Sequence, residues 1–205
     1  MNKAIGSRIN LNDLSNPKIK EFNEILDEVI GHQKVQELKN YPQHFNTSRF
    51  QHSLNVAYYT FLICEKFNWN TMEATKAAML HDLFLYDYRD VKYDEWHPAA
   101  HPKNALVNSM QVTDITPLME DAIVKHMWPM TLKFPAYKES WVITSMDKYC
   151  ATLEVFSSLF RRRRNIYLIV ISYTQSAYSF FIPQNKTILQ ISCPKLYIVS
   201  KLVSP

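Results

Sequence analysis

Six side chains in this chain have the types and the order of a metal centre: His52, the adjacent pair His81-Asp82, His101, His126 and Asp147. An imidazole is a borderline nitrogen donor and a carboxylate a hard oxygen donor. Side by side, as at His81-Asp82, they can hold one metal ion, or bridge two, in a site that also takes phosphate. Four imidazoles and two carboxylates are enough donors for two divalent ions with open positions. Open positions let a water ionise near neutral pH and let a phosphate oxygen coordinate. Two-metal hydrolysis needs ions about 3.5–4 Å apart, a span that a carboxylate such as Asp82 can bridge. Each of the six alone reads as a helix cap or a surface residue, which is how His32 and His44 read, and Asp147 alone could pair with a lysine. It is the ordered run H, HD, H, H, D that points to metal chemistry.

The elements that must position these residues are helical. Ile19, Phe22, Ile25, Leu26, Val29 and Ile30 recur at three- and four-residue spacing, which predicts a helix over 17–39. Tyr41-Pro42 ends it or turns the chain. Thr47 or Ser48 caps a second helix over 50–67, with His52 in its first turn and Leu54, Ala57, Tyr58, Phe61 and Leu62 as its buried stripe. A third helix starts at Thr71, is packed closely by Ala74, Ala77 and Ala78, and ends near His81-Asp82. Residues 86–102 are aromatic, charged and broken by Pro98 and Pro102, and read as a loop over a site. A helix over 103–110 follows His101, and another runs from Thr116-Pro117 to near His126. After a Pro-rich loop, a helix over 139–156 carries Asp147.

Composition narrows the class further. The chain has 205 residues, 47% of them hydrophobic and 13% aromatic, which suits one packed domain rather than a disordered chain. Its only glycines are Gly6 and Gly31, which disfavours folds built on Gly-rich phosphate loops or many tight hairpins and suits an all-α fold. Cys64, Cys150 and Cys193 are scattered, with no CxxC, and read as reduced thiols of a cytoplasmic protein. The polar stretch 1–17 lacks an apolar signal core.

The net charge of +4 is unevenly placed. No acidic residue follows Glu154, whereas seven Lys and Arg lie from Arg161 onward. The rest of the chain holds 16 basic and 19 acidic residues, a net of −3 that gives no reason to expect nucleic-acid binding. Residues 161–205 form a basic and apolar tail of atypical composition, expected to be disordered or weakly docked, or to arise from a frame disruption. Within it Asn165–Ile182 is uncharged, but six of its 18 residues are Asn, Ser, Thr or Gln, too polar for ready membrane insertion.

The motifs resemble the HD superfamily of metal-dependent phosphohydrolases. The resemblance is carried by His52 in RFQHS, the His81-Asp82 doublet and Asp147 in MDKY, with His101 in HP and His126 in KHMWP similar to the extra histidines of two-metal members. It follows a bacterial group of HD-domain hydrolases with HDLFLYD, KHMWP and DKYCATLE segments, and covers roughly residues 20–160. It implies an all-α HD-type helical bundle over residues 1–160. His52, His81, Asp82 and Asp147 would hold a first ion, and Asp82, His101 and His126 a second, drawn from Mn, Fe, Co, Ni or Mg. The implied activity is cleavage of a small phosphomonoester or phosphodiester, for example a nucleotide, by metal-activated water.

Other roles are assigned around that set. Asp82 is the central catalytic carboxylate. Lys125 or Lys103 would bind a substrate phosphate as a point charge. Arg49 would orient a ligand carboxylate or contact phosphate, or else be a surface residue at a helix start. His97 would support the site or be exposed. Trp96, Trp128 and Trp141 would line a nucleobase pocket or fill the core. Glu139 would cap the last helix. The same six ligands also resemble those of HD-related di-iron oxygenases, and a non-catalytic metal- or nucleotide-binding module is the third reading.

Overall fold

Most of the molecule is built from helices whose starts are fixed by small polar side chains. The computed structural model describes residues 3–44, 47–87 and 96–181, with side chains through residue 160. Among the described residues there are seven α-helices: α1 Pro17–Ile30, α2 Gln33–Glu37, α3 Arg49–Lys66, α4 Thr71–Leu80, α5 His97–Ser109, α6 Pro117–Lys125 and α7 Lys138–Phe181. A two-stranded antiparallel hairpin, β1 Pro42–His44 and β2 Thr47–Ser48, leads into α3. The side chains of Asn16, Ser48, Asn70 and Thr116 each accept a backbone N–H from the first turn of α1, α3, α4 and α6. Caps of this kind are each worth about 1 kcal/mol.

The centre of the core is α3. Twelve of its 18 residues are buried, more than one amphipathic stripe supplies, so neighbours must cover it on several sides. Phe22 of α1 sets its ring edge-on against Tyr58 and Phe61 of α3, at 5.7 and 5.5 Å between centroids. On α4, Ala74, Ala77 and Ala78 are fully buried, and their small side chains let α4 lie close to α3. The same helix also packs on α1 and α6, and α5 packs on α6. The inner stripe of α7 contains Ile143, Asp147, Cys150 and Glu154, spaced by four, three and four residues.

Several expected boundaries differ. The helix predicted over 17–39 breaks after Ile30, because Gly31 ends α1 and the His32 ring accepts the Lys34 N–H to start α2. This restart lays Val35 and Leu38 into the core. His32 is therefore a cap, as expected. The loop expected over 86–102 is shorter, since α5 begins at His97 and includes both prolines. Pro98 is tolerated because first-turn N–H groups need no helical partner, whereas Pro102 gives up one interior bond. Residues 88–95 of that loop lie outside the described residues. The hairpin was not anticipated. Helix α7 continues to Phe181, well beyond the predicted end at 156.

The chain divides into two compact units, Met1–Arg161 and Arg162–Pro205. Among the described residues no helix is long and apolar enough to cross a membrane. Residues 182–205 of the tail lie outside the described residues.

Candidate metal centre

Helix ends fix the chemistry of two histidines. His81 directly follows α4 and His126 directly follows α6, where the last carbonyls lack helical partners. The Nδ1–H of His81 donates to the Ala78 carbonyl at 2.7 Å, and that of His126 to the Ile123 carbonyl at 2.7 Å. Inside α5, His101 Nδ1–H donates to the His97 carbonyl at 2.9 Å. A carbonyl only accepts, so each ring carries a proton on Nδ1 and turns its Nε2 toward the other rings.

These Nε2 atoms converge. His101 Nε2 and His126 Nε2 lie 3.0 Å apart. Asp82 Oδ1 lies 3.3 Å from His101 Nε2 and 3.5 Å from His126 Nε2. Asp82 Oδ2 lies 3.6 Å from His81 Nε2, which is itself 3.9 Å from Asp147 Oδ1. The buried atoms His81 Nε2 and Asp82 Oδ1 have no hydrogen-bond partner. Ring nitrogens and carboxylate oxygens packed this closely repel one another unless a proton or a metal ion stands among them, and a divalent metal suits this mixture of imidazole and carboxylate donors.

His52 is held differently. Asp147 and Glu154 are seven residues apart on one face of α7 and grip the ring from both sides. Its Nε2 is 3.0 Å from Asp147 Oδ1 and its Nδ1 3.1 Å from Glu154 Oε2. Asn55, one turn along α3, donates to Glu154 Oε1 at 2.7 Å. A carboxylate on one ring nitrogen, as Glu154 is on Nδ1, is how metal-binding histidines are usually supported, and here the other nitrogen faces Asp147.

The electrostatics follow from burial and partners. Burial alone would lower the pKa of His52, but its hydrogen bonds to Asp147 and Glu154 win and raise it to about 10. Burial pushes His81 down to about 4 against the opposing pull of Asp82, leaving a neutral imidazole at pH 7. Burial would raise Asp82 and Asp147, but His81 and its neighbours hold Asp82, and His52 and Lys148 hold Asp147, well below the usual carboxylate range. Two ionised carboxylates stand ready for a cation.

The six predicted ligands thus lie in one contiguous cluster. Donor atoms of His52, His81 and Asp147 lie within 4.8 Å of one another, as do those of His81, Asp82 and His126. A cavity of about 300 Å³ opens on the cluster, walled by Phe84, Pro98, Met127 and Met130 and edged by His97 and Lys148.

The other predicted residues scatter. Arg49 is not at the surface but fully buried, reaching the site through Gln43. Lys125 pairs with Asp121 on its own helix and does not line the cavity. Lys103 lines a separate groove with Lys133 and Leu132. Among the described residues, the lysine that lines the cavity is Lys148, which donates to Asp147 Oδ2 at 3.0 Å and to the His126 carbonyl. His97 is half-buried and stacks on His101 with centroids 4.7 Å apart. Of the tryptophans, Trp96 is 59% exposed, and Trp128 packs on Trp141 and Phe134; none lines the cavity or fills the core. Glu139 accepts the Asn70 N–H at 3.2 Å, so it ties α7 to the start of α4 instead of capping α7.

Four residues were missed. Glu154 was detectable from its seven-residue spacing to Asp147, and Lys148 from its adjacency to that ligand. Gln43 carries no local signal. His44, expected at a surface or a cap, faces His52 edge-on at 5.3 Å and lines the cavity. With His52 and Glu154 it forms a third group of donors within 4.8 Å. No family model, no curated protein and no solved structure matches this chain.

Proposed function

We propose that this protein is an HD-type metal-dependent phosphohydrolase. The observation that carries the reading is that buried His81 Nε2 and Asp82 Oδ1 have no hydrogen-bond partner, beside the facing Nε2 atoms of His101 and His126, with Asp82, His101 and His126 lining the cavity. His52, His81, Asp82 and Asp147 would hold one divalent ion, and Asp82, His101 and His126 a second. When bound, such ions act as Lewis acids toward a phosphoryl oxygen and make water acidic enough to attack near neutral pH.

The chain's own groups do the rest. Glu154 and Asn55 fix the His52 ring, and the Ala78, His97 and Ile123 carbonyls fix the other three. Lys148 offers a positive charge at the cavity edge, where a phosphoryl oxygen would lie beside Asp147. Phe84, Pro98, Met127 and Met130 keep water from the wall opposite and strengthen each charge interaction inside.

The test is phosphate release from a panel of phosphomonoesters and phosphodiesters after loading with Mn²⁺, Fe²⁺, Co²⁺, Ni²⁺ or Mg²⁺. Metal-dependent turnover lost in His81→Ala/Asp82→Ala is expected. Turnover that survives the double substitution would overturn the assignment. Substrate-dependent O₂ uptake by the iron-loaded protein, with no phosphate released, would replace it with an oxygenase.

A further inference from the structure

We propose that Gln43 is the positioning residue that keeps the two oxygens of Asp82 divided between the two groups of histidines, and that buried Arg49 holds Gln43 in that role; the inference rests on reading the cluster as a metal centre. A guanidinium has donors only. Arg49 Nε donates to Gln43 Oε1 at 3.0 Å, so the Gln43 amide must turn its oxygen toward Arg49 and its NH₂ away. That NH₂ donates to Asp82 Oδ2 at 2.6 Å. The orientation of the amide is thereby set by chemistry, since the reverse would oppose acceptor to acceptor and donor to donor.

Arg49 also governs the backbone that carries Asp82. Its Nη1 donates to the carbonyls of Phe84 and Tyr86, in the turn that follows Asp82. Its guanidinium lies 3.4 Å above the Phe84 ring, fixing the plane of the fork. One buried cation thus holds the Asp82 turn from behind and, through Gln43, the carboxylate from in front.

The consequence is geometric. A carboxylate turns easily about its last torsion, which is broad and two-fold. With Oδ2 held by Gln43, Oδ1 is left facing His101 and His126, while Oδ2 remains on the His81 side. A ligand that must serve two ions at once needs this division. Lysine cannot replace Arg49, because a point charge cannot address Gln43 and two carbonyls together.

The experiment is calorimetric titration of chelator-stripped, full-length protein with Mn²⁺, alongside denaturant unfolding of the metal-free forms. Gln43→Met keeps the side chain's length without its donor and is expected to weaken Mn²⁺ binding by about 10–100-fold. Its unfolding midpoint is expected to fall modestly, because buried Arg49 Nε loses its acceptor, with the protein still folded at the titration temperature. Gln43→Ala is the second variant. Arg49→Lys is expected to give a similar loss, and the double variant Gln43→Met/Arg49→Lys no more than the larger single one. Wild-type Mn²⁺ affinity in both Gln43 variants, with binding lost in Asp82→Ala, would overturn this inference alone, and simply additive losses would overturn the link through Arg49. Wild-type affinity in Asp82→Ala would overturn the metal centre and this inference with it.

Discussion

The two sides of the cluster are built on different supports. Around His52 the supports are side chains: Asp147, Glu154 and Asn55, each reached across at least 95 residues or shared with a partner that is. Around His101 and His126 the supports are backbone carbonyls three or four residues away. The first arrangement compensates its own charge, because an imidazolium sits between two carboxylates. The second has only two Nε2 atoms and one carboxylate oxygen facing one another at 3.0–3.5 Å. The first half therefore finds its partners among side chains, whereas the ring nitrogens of the second face only one another and Asp82. Asp82 belongs to both.

The largest effect should come from that shared residue. Asp82→Ala is expected to empty both halves, with phosphohydrolase activity down by more than about 100-fold and bound metal lost by elemental analysis. Retention of one full equivalent would show that the halves load independently.

Next come the halves themselves, in the chelator-treated protein. His52→Ala leaves buried Asp147 and Glu154 without their common partner and should cost about 3–5 kcal/mol in denaturant unfolding. His101→Ala leaves no ionised carboxylate pair without its common partner and should cost only about 1–2 kcal/mol. Equal costs would break the comparison.

A smaller, pH-dependent difference follows from His52. Its pKa rises from 6.5 to about 10 on folding, so its stabilisation is whole below pH 6.5 and is lost as pH climbs through about 10. His81 falls to about 4, so its contribution holds above pH 6.5 and is lost as pH falls through about 4. Metal-free wild type should therefore weaken relative to His52→Gln as pH is raised from 6.5 toward 10. Metal uptake at pH 7 should release about one proton from His52 and none from His81, measurable by titration in buffers of different ionisation enthalpy.

The smallest effect concerns the helix that ends at His126. Thr116→Ala removes the α6 cap and should cost about 1 kcal/mol by thermal unfolding. Metal affinity on the His52 side should not change.

Much of this was written locally. The α1, α3 and α6 starts followed from spacing and capping residues, and α6 begins and ends where Thr116-Pro117 and His126 predict. Less local features were hidden. Pro98 and Pro102 read as breakers because the rule for prolines weighs the missing N–H and not the position in the turn. Lys125 sits beside His126 in sequence, yet its side chain points to Asp121, while Lys148, 22 residues from His126, reaches the cavity. Gln43 and Arg49 read as turn and helix-start residues, because their partners lie far along the chain.

Residue order alone determined the helical class and pointed to six side chains whose types can bind a metal ion, since periodicity, caps and donor chemistry are properties of short stretches. Only the tertiary structure decided which supports each donor receives, which lysine faces the cavity and how Asp82 is turned. Those depend on the direction in which separate helices present their side chains, and that direction is set when α3, α4 and α7 pack around a common core.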